Sequence, residues 1–129
     1  MPAASAIQTL IVDDQQTMRA LVRSGLHQLG IVNPREAPDG EEALRALLTR
    51  PAHLVISDFN MPKLDGLSLL RAIRSHEPIR GTAFIMLTGR ADRELVQRAA
   101  QFGVNNYLVK PFTVATLKEK IEEVFGTLT

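Results

Sequence analysis

Hydrophobic positions in this chain come in two alternating textures. Short, nearly unbroken apolar runs lie at Ile7 to Val12, Leu54 to Ser57, Ala83 to Leu87 and Asn106 to Val109. Runs of this length without polar alternation fit strands of a parallel sheet covered on both faces. A weaker strand is expected from Ile31 to Ala37, where Pro34 and the Arg35-Glu36 pair suit a sheet edge. Between the runs, apolar residues recur at helical spacing. Met18, Leu21, Val22, Gly25, Leu26 and Leu29 form one stripe, and Gly30 is placed to end it in a left-handed conformation. Asp39 is placed to cap a helix bearing Ala43, Leu44, Leu47 and Leu48, with Glu42 reaching back toward the cap and Pro51 beyond the end. Leu67, Leu70 and Ile73 mark a third helix, and Leu95, Ala99 and Phe102 a fourth before Gly103. Thr113 is placed to cap a fifth that carries Leu117, Ile121, Val124, Phe125 and Leu128.

Strand followed by helix, repeated, predicts an α/β fold: a parallel sheet with right-handed crossovers and helices on both faces. Ligands of such sheets sit outside the carboxyl ends of the strands, which directs attention to the residues there. These are Asp13 and Asp14 after the first run, Asp58 after the second, Thr88 after the third and Lys110 after the last.

A lone carboxylate at a strand end has an ordinary explanation as a helix cap or turn residue. Several converging carboxylates repel one another unless a cation sits among them, and a hard divalent ion such as Mg²⁺, or Mn²⁺ in its place, suits an all-oxygen site. No Cys or His stands at these positions, which argues against zinc. A carboxylate beside a cation can also attack phosphorus and form an acyl phosphate. Asp58 is the candidate nucleophile because it ends the central run, between the acidic pair and Lys110. In phosphoryl transfer the protein mainly positions groups and neutralises oxygen charge, roles open to the cation, the Lys110 ammonium and the Thr88 hydroxyl.

Composition narrows the setting. The 129 residues, 45% hydrophobic and 22% charged, suit one soluble globular domain spanning 1–129, with no output domain expected. A net charge of +1 offers no basic field for nucleic acid or membrane, and the absence of cysteine excludes a disulfide framework. No signal peptide or spanning segment is evident, so a cytoplasmic monomer is expected. His27, His53 and His76 are scattered away from the strand ends, so a phosphodonor histidine is expected on a separate protein.

The ordered set Leu10-Ile11-Val12-Asp13-Asp14, Ser57-Asp58-Phe59-Asn60-Met61-Pro62, Leu64-Asp65-Gly66, Leu87-Thr88-Gly89 and Tyr107-Leu108-Val109-Lys110-Pro111-Phe112 resembles the response-regulator receiver domains of two-component signalling, and among them the stand-alone chemotaxis regulators. The resemblance covers nearly the whole chain. It implies a flavodoxin-like, doubly wound five-stranded parallel sheet in order 2-1-3-4-5 with five helices. It also implies a signalling protein that catalyses only its own phosphorylation and dephosphorylation. By resemblance, Asp13, Asp14, Asp58 and the Asn60 backbone carbonyl hold Mg²⁺, and Asp58 is the phosphoacceptor. Thr88 and Lys110 contact the phosphoryl oxygens, and Lys110-Pro111 is cis. Thr88 and Tyr107 form the switch.

The implied partners are a sensor histidine kinase, a flagellar motor switch protein and a phosphatase, with Ala91, Arg93, Tyr107, Val109, Phe112, Thr113 and Lys120 at positions that meet partners. Taken without the resemblance, Tyr107 reads as a strand aromatic with a solvated hydroxyl. Two residues depart from the chemotaxis pattern. Phe59 replaces a tryptophan, and Arg90 replaces an acidic residue that, with Asn60, tunes dephosphorylation. A haloacid-dehalogenase-like phosphatase would carry a second Asp two residues after the nucleophile, where this chain has Asn60. A flavodoxin-like cofactor carrier would carry a glycine- or hydroxyl-rich phosphate loop after the first strand, and none is present.

Overall fold

In a computed structural model that describes residues 3–89 and 93–129, the apolar runs become five parallel strands. These are β1 (Thr9–Val12), β2 (Arg35–Ala37), β3 (Leu54–Asp58), β4 (Ala83–Thr88) and β5 (Asn106–Val109), in the order β2-β1-β3-β4-β5. Five helices join or follow them: α1 (Gln16–Gln28), α2 (Gly40–Thr49), α3 (Gly66–Ser75), α4 (Arg93–Gln101) and α5 (Val114–Phe125). This is the flavodoxin-like architecture expected from the sequence.

The unbroken strand hydrophobicity has a direct cause, because alternate residues feed two separate cores. Leu10, Val12, Val55, Phe84 and Met86 pack with Leu47, Leu70, Ile73 and Ala99 on one face. Ile11, Ile56, Ile85 and Leu87 pack with Val22, Leu26, Leu117 and Ile121 on the other. Each fully buried Val, Leu, Ile, Phe or Met side chain among them is worth about 1.5–3 kcal/mol relative to exposure. Register does the rest, with Val12 beside Ser57, Asp58 beside Leu87 and Thr88 beside Val109. The carboxyl ends of β1, β3, β4 and β5 therefore open at one edge.

The boundaries differ from expectation in instructive ways. β1 starts at Thr9, after a 3-10 turn at Ala4–Ala6, while Ile7 is buried in the second core without joining the strand. β2 shrinks to Arg35–Ala37, since Pro34 has no N–H for a ladder, although Ile31 is still buried. β3 and β4 each run one residue further, to Asp58 and Thr88. In α1 the buried stripe is narrower than predicted: Leu21 is 54% exposed, and Gly25 makes the close approach to α5. A Cβ on Gly25 would lie 2.9 Å from Leu117 Cδ2.

Asp39 caps α2 by accepting from the Glu42 N–H at 2.9 Å. The Glu42 carboxylate does not reach back as expected but pairs with Arg45, also at 2.9 Å. Thr113 accepts from the Thr116 N–H and caps α5. Gly30 and Gly103 take φ of +87° and +83° just beyond α1 and α4, the left-handed geometry that glycine permits without Cβ strain.

Candidate functional site

The last residue of β3 and the two residues after β1 meet at the open edge. One carboxylate oxygen each from Asp13, Asp14 and Asp58 lies within 4.8 Å of the others. Among the described residues this is the one acidic cluster with metal-holding geometry. Asp13 and Asp58 are buried, at 1% and 6% exposure, whereas Asp14 faces solvent.

Asp13 is held by backbone on several sides. Its N–H donates to the Ala37 carbonyl at 3.2 Å, and its Oδ1 accepts from the Gln15 N–H at 2.9 Å. Its Oδ2 is buried with no hydrogen-bond partner. Burial pushes its carboxyl above the usual range, the Gln15 N–H opposes this, and the Asp58 charge adds to it. The Lys110 charge lowers it and the Asp14 charge raises it, both by less. An orphaned buried oxygen among acidic neighbours fits a cation ligand, since a hard divalent ion would supply the missing partner and countercharge.

Asp58 faces Lys110, whose Nζ lies 2.8 Å from Oδ1 in a largely buried pair. Lys110 arrives from the turn after β5, where its own N–H donates to the Thr88 carbonyl at 2.7 Å and the Lys110-Pro111 bond is cis. Thr88 is buried at the end of β4, next to Leu87, the register partner of Asp58. On the far side of Asp58, Phe59 donates its N–H to Leu87 and accepts from the Gly66 N–H. Gly66 allows this fold-back, because a Cβ there would lie 2.4 Å from the Asp58 carbonyl oxygen. Asn60 is exposed at the start of that loop, and Asp65 closes it by capping α3 through the Ser68 N–H.

Tyr107 departs from the reading of a solvated strand aromatic. Its ring packs partly against the first core, and its hydroxyl donates to the Val96 carbonyl in α4 at 2.7 Å. Burial pushes its phenol above the ordinary value.

The remaining candidates scatter over neighbouring surfaces. Arg93 and Val109 are exposed. Lys120 pairs with Glu123 at 3.7 Å, and Thr113 is engaged as a cap. Phe112 packs on the second core and, with Pro111, lines a groove of about 220 Å³ against Met18, Leu21 and Gly25 of α1. It therefore lies toward α1, apart from the Tyr107 ring. Arg90 and Ala91 lie outside the described residues.

Two residues to which sequence reading gave no role at the site support it. Arg19 of α1 donates from a terminal guanidinium nitrogen to the Asp13 carbonyl at 2.6 Å and from Nε to Glu36 of β2 at 2.9 Å. No motif or periodicity signals this bridge.

Comparison with known proteins agrees with this geometry. The model of the response regulator receiver domain family matches residues 9–122. A probable chemotaxis protein CheY of Rhizobium etli is 52% identical over 128 residues, 99% of each chain. A crystallised chemotaxis protein CheY of Vibrio cholerae superposes with a TM-score of 0.85 at 31% identity, covering 96% of this chain and 99% of that one. The receiver domain of a Pseudomonas aeruginosa sensor histidine kinase, crystallised with magnesium coordinated in its active-site cleft, gives 0.83 at 30% identity, covering 94% and 98%.

Proposed function

The chain belongs to the response-regulator receiver family and works as a phosphorylation switch rather than a turnover enzyme, and on that premise we propose that Asp58 is its phosphoacceptor in a chemotaxis pathway. The observation that supports this most is the arrangement around one carboxylate: Asp58 lies within the acidic cluster and 2.8 Å from Lys110.

Asp13, Asp14 and Asp58, with the Asn60 backbone carbonyl, are the groups that would hold Mg²⁺. When bound, the ion supplies positive charge to phosphoryl oxygens. The chain's own residues do the rest. An Asp58 oxygen attacks the phosphorus of a phosphohistidine on the partner kinase. The P–N bond breaks, the imidazole leaves with its electron pair, and an acyl phosphate remains on Asp58. Lys110 neutralises oxygen charge as the new group forms, and the Thr88 hydroxyl donates to it. Movement of Thr88 toward the phosphoryl group frees space that the Tyr107 ring takes up. The phosphoryl group shifts the population between two forms only by its differential stabilisation of one.

Family membership implies a histidine kinase and chemotaxis-pathway partners. The finer proposal is a flagellar motor switch protein bound at the face that carries Arg93, Tyr107, Val109, Thr113 and Lys120, with Phe112 at its margin. A phosphatase whose access is tuned by Asn60 and Arg90 is proposed alongside it. No helix among the described residues is long and apolar enough to cross a membrane, which accords with the proposed cytoplasmic setting.

The test is a binding titration of a motor-switch peptide with and without a stable phosphoryl mimic. Tighter binding with the mimic is expected, and equal affinity would overturn the output reading. The rival dehalogenase-like phosphatase predicts multiple turnovers on phosphate monoesters, where a receiver gives one equivalent of modification.

A further inference from the structure

Asp13 must present a buried, otherwise unsatisfied oxygen at a fixed place, yet it lies in a loop beyond the end of β1. Its main chain is fastened at both ends to the edge strand β2. The Asp13 N–H reaches the Ala37 carbonyl directly. The Asp13 carbonyl reaches Glu36, the residue before Ala37, through the guanidinium of Arg19. Glu36 is itself gripped from both sides, with one carboxylate oxygen on Arg19 and the other on Arg23. Arg19 and Glu36 are largely buried, at 16% and 20% side-chain exposure, so the bridge is shielded from the screening that weakens surface pairs.

We propose that Arg19, oriented by Glu36, is a positioning residue that locks the Asp13 peptide so that Oδ2 is aimed at the divalent cation. This rests on the reading of Asp13 as a cation ligand. Groups that orient metal ligands commonly govern affinity nearly as strongly as the ligands do. The arrangement also explains why a strand as short as β2 matters to the site. Its last two residues hold the Asp13 peptide from both directions.

Two physical effects of removing Arg19 carry opposite signs, which makes the proposal testable. A guanidinium near an acidic cluster repels a divalent cation, so charge removal alone strengthens Mg²⁺ binding. Loss of positioning weakens it. Arg23 supplies the control, since it pairs with the same Glu36 but is not bonded to Asp13.

Isothermal titration calorimetry of the unphosphorylated protein with Mg²⁺ reads the difference, with chelator-treated thermal melts reporting the fold. Arg19→Ala and Arg19→Lys are each expected to weaken Mg²⁺ binding roughly tenfold. Lysine retains the charge but cannot supply two donors in one plane to Asp13 and Glu36. Arg23→Ala is expected to leave affinity unchanged or slightly higher. Mg²⁺ binding by Arg19→Lys as tight as wild type, or tighter binding by a folded Arg19→Ala, would overturn the proposal. If Arg19→Ala fails to fold, Arg19→Lys and Glu36→Gln carry the same comparison. Failure of the wild-type protein to bind Mg²⁺ would instead overturn the underlying assignment of the cation site.

Discussion

Lys110 Nζ and Asp58 Oδ1 stand 2.8 Å apart, an ion pair formed by residues at the ends of two strands separated by a third. Asp58 thus has a cationic neighbour on one side and carboxylates on the other. Lys110→Ala should remove the charge proposed to answer the transferring oxygens while relieving repulsion of the cation. Labelling by a small phosphodonor is expected to slow by roughly a hundredfold, on the scale of losing one preorganised donor. Mg²⁺ affinity, read by calorimetry, should hold or rise. Parallel loss of both would show that Lys110 acts through the fold.

Asp13 is poised to gain from a cation. Its carboxyl titrates above the ordinary value, chiefly from burial, so the unfolded chain releases that proton first as pH rises. The metal-free fold therefore loses Asp13's share of stability as pH climbs upward from 3.8. Asp13→Asn is expected to melt at a higher temperature than wild type in chelator near neutral pH. Wild type should gain stability on Mg²⁺ addition, by about 2.7 kcal/mol at a hundred times its Kd, and the variant should gain far less. Thermal melts with and without Mg²⁺ check both.

Gly66 has no room for a side chain against the Asp58 carbonyl. Gly66→Ala should push the loop that carries Asn60 away from β3, at a cost of about 1–3 kcal/mol typical of overpacking. Urea unfolding measures the stability loss. Phosphodonor labelling at a urea-free, fully folded temperature should fall with it, because the displaced backbone is that of Asp58, the proposed nucleophile.

Tyr107 is the sole tyrosine, so its phenolate absorbance reports one group. Burial raises its pKa above 10.0, which makes the neutral ring the form favoured by the fold. The alkaline titration midpoint is expected above 10.0, and stability should fall as pH rises through that region because the unfolded chain ionises first. Tyr107→Phe, which loses the hydrogen bond to Val96, should cost about 0.5–1.5 kcal/mol. A midpoint at or below the ordinary value would place the hydroxyl in open solvent.

Much of the site was readable because each principal group directly ends an apolar run. Asp13, Asp58, Thr88 and Lys110 stand where buried strands emerge, and strand-helix alternation forces those ends to a common edge. The supports were not readable. Arg19 and Glu36 meet only because β2 pairs beside β1, and a charged residue on a helix looks solvated until its partner's position is known. Leu21 belongs to a helical stripe by spacing, yet the close contact of Gly25 with Leu117 draws the buried face away from it. Glu42 had the spacing of a reciprocal cap, but Arg45 one turn on competes for the same carboxylate. The partner of the Tyr107 hydroxyl was not readable either, because its acceptor is a backbone carbonyl, which carries no residue signature.

The most direct test is intact-mass measurement after exposure to a small phosphodonor, with Mg²⁺ or with chelator, followed by mapping of the modified residue. One phosphoryl group on Asp58, present with Mg²⁺, nearly absent with chelator and lost in Asp58→Asn, is the predicted result. Labelling of Asp58→Asn equal to wild type, or labelling indifferent to Mg²⁺, would contradict it.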